Sequence, residues 1–85
     1  MNESEIIEII EESMYLEKGR IGASDVLRNM HEWDSIATIM FMSEIEGRYG
    51  TTIDPQKLAK CVKVSDLVSL VGESVTAAKT KSNIS

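Results

Sequence analysis

Cysteine is nearly absent from this sequence: Cys61 is the only one, so no disulfide can form within the chain. A single cysteine suits the reducing cytosol, and we expect a cytoplasmic protein. The first residues are acidic and lack the basic and apolar stretches of a secretory signal peptide. No apolar run approaches the roughly 20 residues of a membrane-spanning helix, so no membrane insertion is expected.

Basic residues are also scarce. The chain holds 9 Lys and Arg against 14 Asp and Glu, which gives a formal net charge of -5. A nucleic-acid-binding domain needs clustered Lys and Arg to meet the phosphates, so we expect no binding of nucleic acid. The acidic balance suits partner proteins that carry basic patches, because complementary charge accelerates encounter.

With 85 residues, of which 42% are hydrophobic, the chain is long enough for one small domain. We assign residues 1–78 to this domain and residues 79–85, which are small and polar, to a flexible C-terminal tail. No segment shows the alternation of a strand. The expected fold is all-α: a small four-helix bundle with three main helices and a short third helix.

Capping residues mark the predicted helices. The predicted caps are Asn2, Asp34, Asp54 and Ser65, and Gly50 is the predicted stop of the second helix. The predicted helices are Glu3–Leu16, Ser35–Tyr49, Pro55–Lys60 and a last helix that Ser65 caps.

Apolar residues at helical spacing predict the core faces. In the first helix they are Ile6, Ile7, Ile10 and Met14, and in the last helix Leu67, Val68, Val71 and Val75. The acids near the N-terminus predict a solvated face: Glu3, Glu5, Glu8, Glu11, Glu12 and Glu17.

Between the first two helices, residues 18–33 form an unusually long loop for so small a domain. We expect its scattered apolar residues to pin it onto the helical core; they are Ile21, Val26, Leu27, Met30 and Trp33. A short helical turn is expected near Asp25 to Arg28.

The second helix has apolar residues on two sides. Its predicted core face holds Phe41, Met42, Ile45 and Tyr49, with Ile39 at the edge, while Ile36, Met40, Ser43 and Gly47 lie roughly opposite. One interpretation is that the long loop covers Ile36 and Met40. The other is an exposed strip for a partner protein, on which Met is common. Periodicity alone does not choose between them.

The stretch "EWDSIATIMFMSEIEGRYGTTIDPQKLAKCVKVSDLVSLV" resembles the acyl carrier proteins. The resemblance begins with Asp34, Ser35 and Ile36, an Asp-Ser-aliphatic motif at the start of the second helix. It continues at family spacing with Tyr49, Ile53, Val64 and Asp66. The first predicted helix and the long loop also agree with the acyl carrier proteins in length and pattern.

The resemblance implies that Ser35 carries 4'-phosphopantetheine, derived from coenzyme A, whose thiol holds acyl groups as thioesters. The protein would be a monomeric, non-catalytic carrier in fatty-acid, polyketide or related biosynthesis. Its implied partners are a phosphopantetheinyl transferase, acyl-loading (adenylating) enzymes, and condensing or transferase enzymes.

The family's partner surface maps onto Asp34, Ile36 and Glu46. Met40 falls where many fatty-acid carriers have Glu, and Glu44 is a candidate to compensate for the lost charge. Fatty-acid carriers usually have a Gly two residues before the Asp of the motif. Here Glu32 stands at that position and Trp33 follows it. These departures favour a stand-alone carrier of a specialised pathway. They leave open an unmodified helical module of carrier fold that acts only in protein–protein interaction.

The remaining polar residues have ordinary explanations. His31 has no second ligand at suitable spacing, so no metal site is expected. It is interpreted as a surface residue, with contact to a phosphate on Ser35 as the alternative. Cys61 is interpreted as a small buried residue. Trp33 is expected to pack under the loop, or else to flank the pantetheine arm. The basic row of Lys57, Lys60 and Lys63 is a solvated face or a means of partner selection.

Overall fold

Four α-helices form the bundle. They are α1 at Glu3–Ser13, α2 at Ser35–Tyr49, α3 at Pro55–Ala59 and α4 at Val64–Ile84, and a short 3-10 helix lies at Leu27–Asn29. This computed structural model describes the backbone of residues 2–84 and the side chains of residues 2–76. Within that part of the chain there is no strand, so the predicted all-α bundle is confirmed.

Of the predicted tail of residues 79–85, the backbone of residues 79–84 belongs to α4, and the rest lies outside the described residues. Its flexibility therefore stays a prediction. In residues 2–84, no helix combines the length and apolar content that crossing a bilayer requires.

Side-chain caps begin the helices as the sequence predicts. The Asn2 Oδ1 accepts a hydrogen bond from the Glu5 amide at 2.9 Å, and the Asp54 Oδ1 accepts one from the Gln56 amide at 2.9 Å. Gly50 ends α2 in the left-handed conformation, with φ of 66°, which a residue without a Cβ adopts at little cost.

The core lies where α1, α2 and α4 meet. Its fully buried side chains are Ile6, Ile9, Ile10, Phe41, Ile45, Ile53, Val64, Leu67 and Val71. In α1 the buried stripe includes Ile9, which the prediction omitted, whereas Ile7 is only half-buried. The Tyr49 hydroxyl donates to the Glu5 carboxylate at 2.9 Å and links the end of α2 to the start of α1.

The predicted end of α1 at Leu16 was wrong by three residues, because α1 ends at Ser13. Tyr15 has a positive φ of 58°, which is incompatible with a continuing helix. Apolar spacing continues through Met14 and Leu16, so the pattern hides this break. The turn leaves the Tyr15 side chain 82% exposed.

The prediction that Ser65 caps the last helix was wrong, because α4 already begins at Val64. The carboxylate of Asp66, inside the first turn, takes the capping role. Its Oδ2 accepts hydrogen bonds from the amides of Val62 and Lys63, both at 2.9 Å. The bonds from Lys63 and Val62 hold the pKa of Asp66 below its usual value.

Glu11 was predicted to be solvated with its acidic neighbours, and this was wrong. Its side chain is 2% exposed, and its Oε2 accepts a hydrogen bond from the Ile21 amide at 3.1 Å. A buried carboxylate needs such a partner, and here the partner belongs to the long loop. Glu11 therefore fastens the start of the loop to α1.

A second fastening holds the far part of the loop against the linker that precedes α4. Val26 and Lys63 form an isolated antiparallel bridge, and the Leu27 amide donates to the Val62 carbonyl at 2.8 Å. Two further bonds run from the Val64 amide to the Asp25 carbonyl and from the Ser65 amide to the Ala23 carbonyl. The helical turn expected near Asp25 to Arg28 forms slightly later, at Leu27–Asn29.

Gly47, inside α2, and Gly50, which ends it, should respond in opposite directions to alanine. Neither site has an atom within 4 Å of an added Cβ, but only Gly50 has a positive φ. We expect Gly50→Ala to lower the free energy of unfolding by about 1 kcal/mol through left-handed strain. Gly47→Ala, inside the helix, should raise it by roughly 0.5–1 kcal/mol. Urea unfolding measures both, and midpoints that shift in the same direction would contradict this account.

Candidate functional site

The N-terminus of α2 is capped by Asp34. Its backbone is extended, and its Oδ1 accepts a hydrogen bond from the Ala37 amide at 2.9 Å. The Asp34 carbonyl accepts from both the amide and the hydroxyl of Thr38. Among the hydrogen bonds of the described residues, none uses the amides of Ser35 and Ile36. Two free N–H groups at the positive end of a helix dipole make a suitable place for an anion.

Ser35 is the first residue of α2 and is exposed. Its hydroxyl has no hydrogen-bond partner within the described part of the chain, because Asp34 already supplies the cap. The prediction that Asp34 is the N-cap of α2 is thus confirmed. The site presents an accessible hydroxyl beside two unpartnered amides, an arrangement that fits a phosphate ester.

Beside Ser35, a groove of about 520 Å³ runs between α2 and α3. This volume falls in the range of small-molecule sites. Its wall is mostly apolar and consists of Leu27, Arg28, Trp33, Ser35, Thr38, Ile39, Met42, Pro55, Leu58, Ala59 and Cys61.

Trp33 packs against the core and also lines the groove. Its ring meets that of Phe41 edge to face, with centroids 5.7 Å apart, so it packs against the core. The same side chain lines the groove beside Ser35. Trp33 therefore connects the wall of the groove to the buried centre of the bundle.

Cys61 is half-buried in the groove wall rather than fully buried. Its Sγ lies 3.6 Å from the Lys57 carbonyl, to which the thiol donates. Burial, with a smaller effect of the nearby Asp66, raises the pKa of the Cys61 thiol. The protonated thiol is therefore favoured at neutral pH, which makes Cys61 a poor nucleophile.

Ile39, which was predicted at the edge of the core face, is 59% exposed and lines the groove. A helix advances about 100° per residue, so Ile39 lies only about 40° from Ser35 around the helix. Ala37, which is 2% exposed, takes a core position that the sequence analysis missed. Its spacing of four residues from Phe41, and of eight from Ile45, was the available signal.

The second apolar side of α2 is open at its start. Ile36 is 66% exposed, so the interpretation that the long loop covers it is wrong. Met40 is half-buried, and its Sδ lies 3.7 Å from the exposed Tyr15 hydroxyl. We call the side formed by Ile36, Met40, Ser43 and Gly47 the partner strip.

Two acids predicted to face partners differ in their surroundings. The Glu44 Oε2 lies 3.0 Å from the Arg48 Nε, and Arg48 also contacts Glu12 at 3.3 Å. The hydrogen bond to Glu44 is the main reason that the pKa of Arg48 is raised. Glu46 is exposed and takes part in none of the ion pairs of the described residues. Of these two acids, Glu46 presents the more available charge.

His31 and the row of Lys57, Lys60 and Lys63 lie at the protein surface. The His31 side chain is 93% exposed and lies 3.7 Å from the Glu32 carboxylate. Across the described residues, no cluster of three or more His, Cys, Asp or Glu side chains could hold a metal ion. Lys57 contacts Glu73 at 4.0 Å, and Lys60 and Lys63 are exposed.

Comparison with known proteins agrees with this geometry. The family model for the phosphopantetheine attachment site matches residues 4–71, from α1 into α4. The chain therefore belongs to the phosphopantetheine-attachment family and is a carrier protein for the 4'-phosphopantetheine group. Domains of this family are typically non-catalytic. Searches of curated proteins and of solved structures returned no match.

The cap can be tested separately from any modification. Asp34→Ala removes the acceptor for the Ala37 amide and should lower the free energy of unfolding by about 1 kcal/mol. Asp34→Asn keeps a side-chain oxygen in place and should lower the free energy of unfolding by only a few tenths of a kcal/mol. Chemical denaturation of the two unmodified variants gives the comparison. An equal loss in both would show that charge, and not the hydrogen bond, is what matters.

Proposed function

We propose that 4'-phosphopantetheine is attached to Ser35 and that the protein carries acyl groups as thioesters between enzymes of a specialised biosynthetic pathway. The observation that carries the proposal is the free Ser35 hydroxyl beside the unpartnered amides of Ser35 and Ile36. Family membership supplies the prosthetic group, and this arrangement favours one serine as its acceptor.

Three other serines within the matched residues, Ser4, Ser13 and Ser65, are less suitable. Ser13 is buried, and its hydroxyl donates to the Ile9 carbonyl at 2.8 Å. Ser65 is in the first turn of α4, but its amide donates to the Ala23 carbonyl. Ser4 is exposed in the first turn of α1, where Glu3 and Glu5 would repel a phosphate.

The transfer to Ser35 exchanges one phosphorus–oxygen bond for another. The Ser35 oxygen forms a bond to phosphorus, the pyrophosphate bond of coenzyme A breaks, and adenosine 3',5'-bisphosphate leaves. The hydroxyl proton goes to a base of the transferase. The N-terminus of α2 then stabilises the negative charge of the phosphodiester.

When bound, the group supplies a flexible arm that ends in a thiol, which forms thioesters with acyl groups. The protein's own contribution is to hold that arm at a fixed, exposed point, so that one cargo reaches several enzymes at high effective concentration. The groove beside Ser35 offers apolar surface to the arm or its cargo through Ile39, Met42 and Leu58.

We further propose that partner enzymes dock on the partner strip. Ile36 is large, apolar and exposed next to Ser35, and Asp34 and Glu46 add acidic groups for basic patches on partners. Met40 and Glu44 lie on or beside the same face. The proposed partners are a phosphopantetheinyl transferase, adenylating enzymes, and condensing or transferase enzymes, which a cytoplasmic monomer would meet in turn.

Intact mass spectrometry tests the attachment point. After incubation with coenzyme A and a phosphopantetheinyl transferase, the wild-type protein should gain one phosphopantetheinyl group and Ser35→Ala none. Ser4→Ala is the matched control and should still be modified. Ser35→Ala should unfold within about 0.5 kcal/mol of the wild type, because the cap remains on Asp34. A mass gain that survives Ser35→Ala would contradict the proposal.

The same chain recovered from its native host discriminates the alternative. An unmodified Ser35 in that material, together with partner binding through Ile36 and Met40, would favour a module that acts only in protein–protein interaction.

The partner strip can be tested by charge insertion. Ile36→Glu should lower kcat/KM of the phosphopantetheinyl transferase about tenfold, because an exposed apolar side chain that partners bury is lost. Its melting temperature should change by less than about 4 °C, as at other surface positions. Val62→Glu makes the same kind of change at an aliphatic residue that is 45% exposed outside the strip, and should leave kcat/KM unchanged. Equal losses in both variants would refute a role specific to the strip.

A further inference from the structure

The groove beside Ser35 contains one charged side chain, that of Arg28. Three residues of its wall, Arg28, Ala59 and Cys61, also line a second depression of about 280 Å³, together with Lys60 and Val62. Within the described residues, no acid lines either cavity. An apolar groove that starts at Ser35 thus adjoins a region with two positive charges.

Neither of these two cations is neutralised by the protein. None of the ion pairs among the described side chains includes Arg28 or Lys60, whereas Arg48 contacts both Glu12 and Glu44. The chain has 14 acids for 9 bases, so acidic partners are not scarce. An unpaired guanidinium beside apolar surface favours an anion from outside the protein.

The backbone that carries Arg28 is held in place. It lies in the 3-10 helix Leu27–Asn29, and the Leu27 side chain is 3% exposed. The Leu27 amide donates to the Val62 carbonyl at 2.8 Å, next to the bridge of Val26 with Lys63. Arg28 therefore extends from a fixed point on the groove wall, although the side chain itself is exposed.

We propose that the cargo of this carrier is an acyl group with an anion at its far end, such as the half-thioester of a dicarboxylic acid. Its methylene chain contacts Ile39, Met42 and Leu58. The distal carboxylate binds Arg28, whose planar guanidinium suits a bidentate contact, and Lys60 adds positive charge. This assignment rests on the proposed attachment at Ser35.

Acyl groups of equal length test the assignment. The protein is loaded from coenzyme A, hexanoyl-coenzyme A and adipoyl-coenzyme A, and intact mass verifies each form before melting temperatures are measured. We expect the adipoyl form to melt about 1–5 °C above the hexanoyl form, as a partly exposed ion pair in a small domain would give. This difference should shrink in 1 M salt, which screens exposed charges.

Two variants locate the effect. Arg28→Gln should abolish the difference between the adipoyl and hexanoyl forms, and Arg28→Lys, which keeps the charge but not the planar fork, should retain part of it. Arg20→Gln is the control: Arg20 is an exposed arginine of the same loop that lines neither the groove nor the second depression, and it should retain the difference in full.

Equal melting temperatures for the adipoyl and hexanoyl forms, or a difference that survives Arg28→Gln, would overturn the proposal. The proposal would also be overturned if Arg28→Gln lowered the melting temperature of the form without an acyl group as much as that of the adipoyl form. That result would assign the bound anion to the phosphate of the arm. A protein that fails to load is recognised in the mass spectrum. That result would count against attachment at Ser35 and not against anion binding by Arg28.

Discussion

The hydrogen bond from the Ala37 amide to the Asp34 carboxylate is the contact on which the site depends. Serine is itself a common helix cap, and a serine used in that way has its oxygen occupied. Here Asp34 is the cap, and Ser35 is moved to the first helical position with its hydroxyl free. The same shift leaves the amides of Ser35 and Ile36 without partners. The free hydroxyl and the two unpartnered amides thus both follow from the use of Asp34 as the cap.

Helix α2 then presents three faces with different surroundings. Steps of about 100° place Ala37, Phe41 and Ile45 on the core side. Ser35, Thr38, Ile39 and Met42 line the groove. The partner strip of Ile36, Met40, Ser43 and Gly47 occupies the third side. The two apolar sides seen in the sequence are therefore three, since the groove separates the core from the strip.

The long loop is structured by polar contacts, and these decide what lies near Ser35. The buried Glu11 carboxylate holds Ile21, and the bridge between Val26 and Lys63 holds the 3-10 helix against the linker to α4. Through that linker contact, Arg28 becomes a neighbour of the groove. A loop fastened at both ends also leaves Ile36 uncovered.

Sequence patterns predicted what depends on near neighbours. The bounds of α2, the caps Asn2, Asp34 and Asp54, and the stop at Gly50 all follow from contacts within a few residues, and all are confirmed. The errors arose where distant segments meet. Glu11 is buried because of Ile21, and Ser65 is bound by Ala23 instead of capping α4. Nothing in the spacing of residues indicated that Arg28 reaches the groove.

Ser35, which Asp34 frees from capping, is the residue that we propose to bear the prosthetic group. Fragmentation mass spectrometry of the modified protein locates the group at single-residue resolution. We expect every fragment that contains Ser35, and no fragment that lacks it, to retain the phosphopantetheinyl mass or its characteristic loss. Localisation to another serine, such as Ser4 or Ser65, would contradict the account.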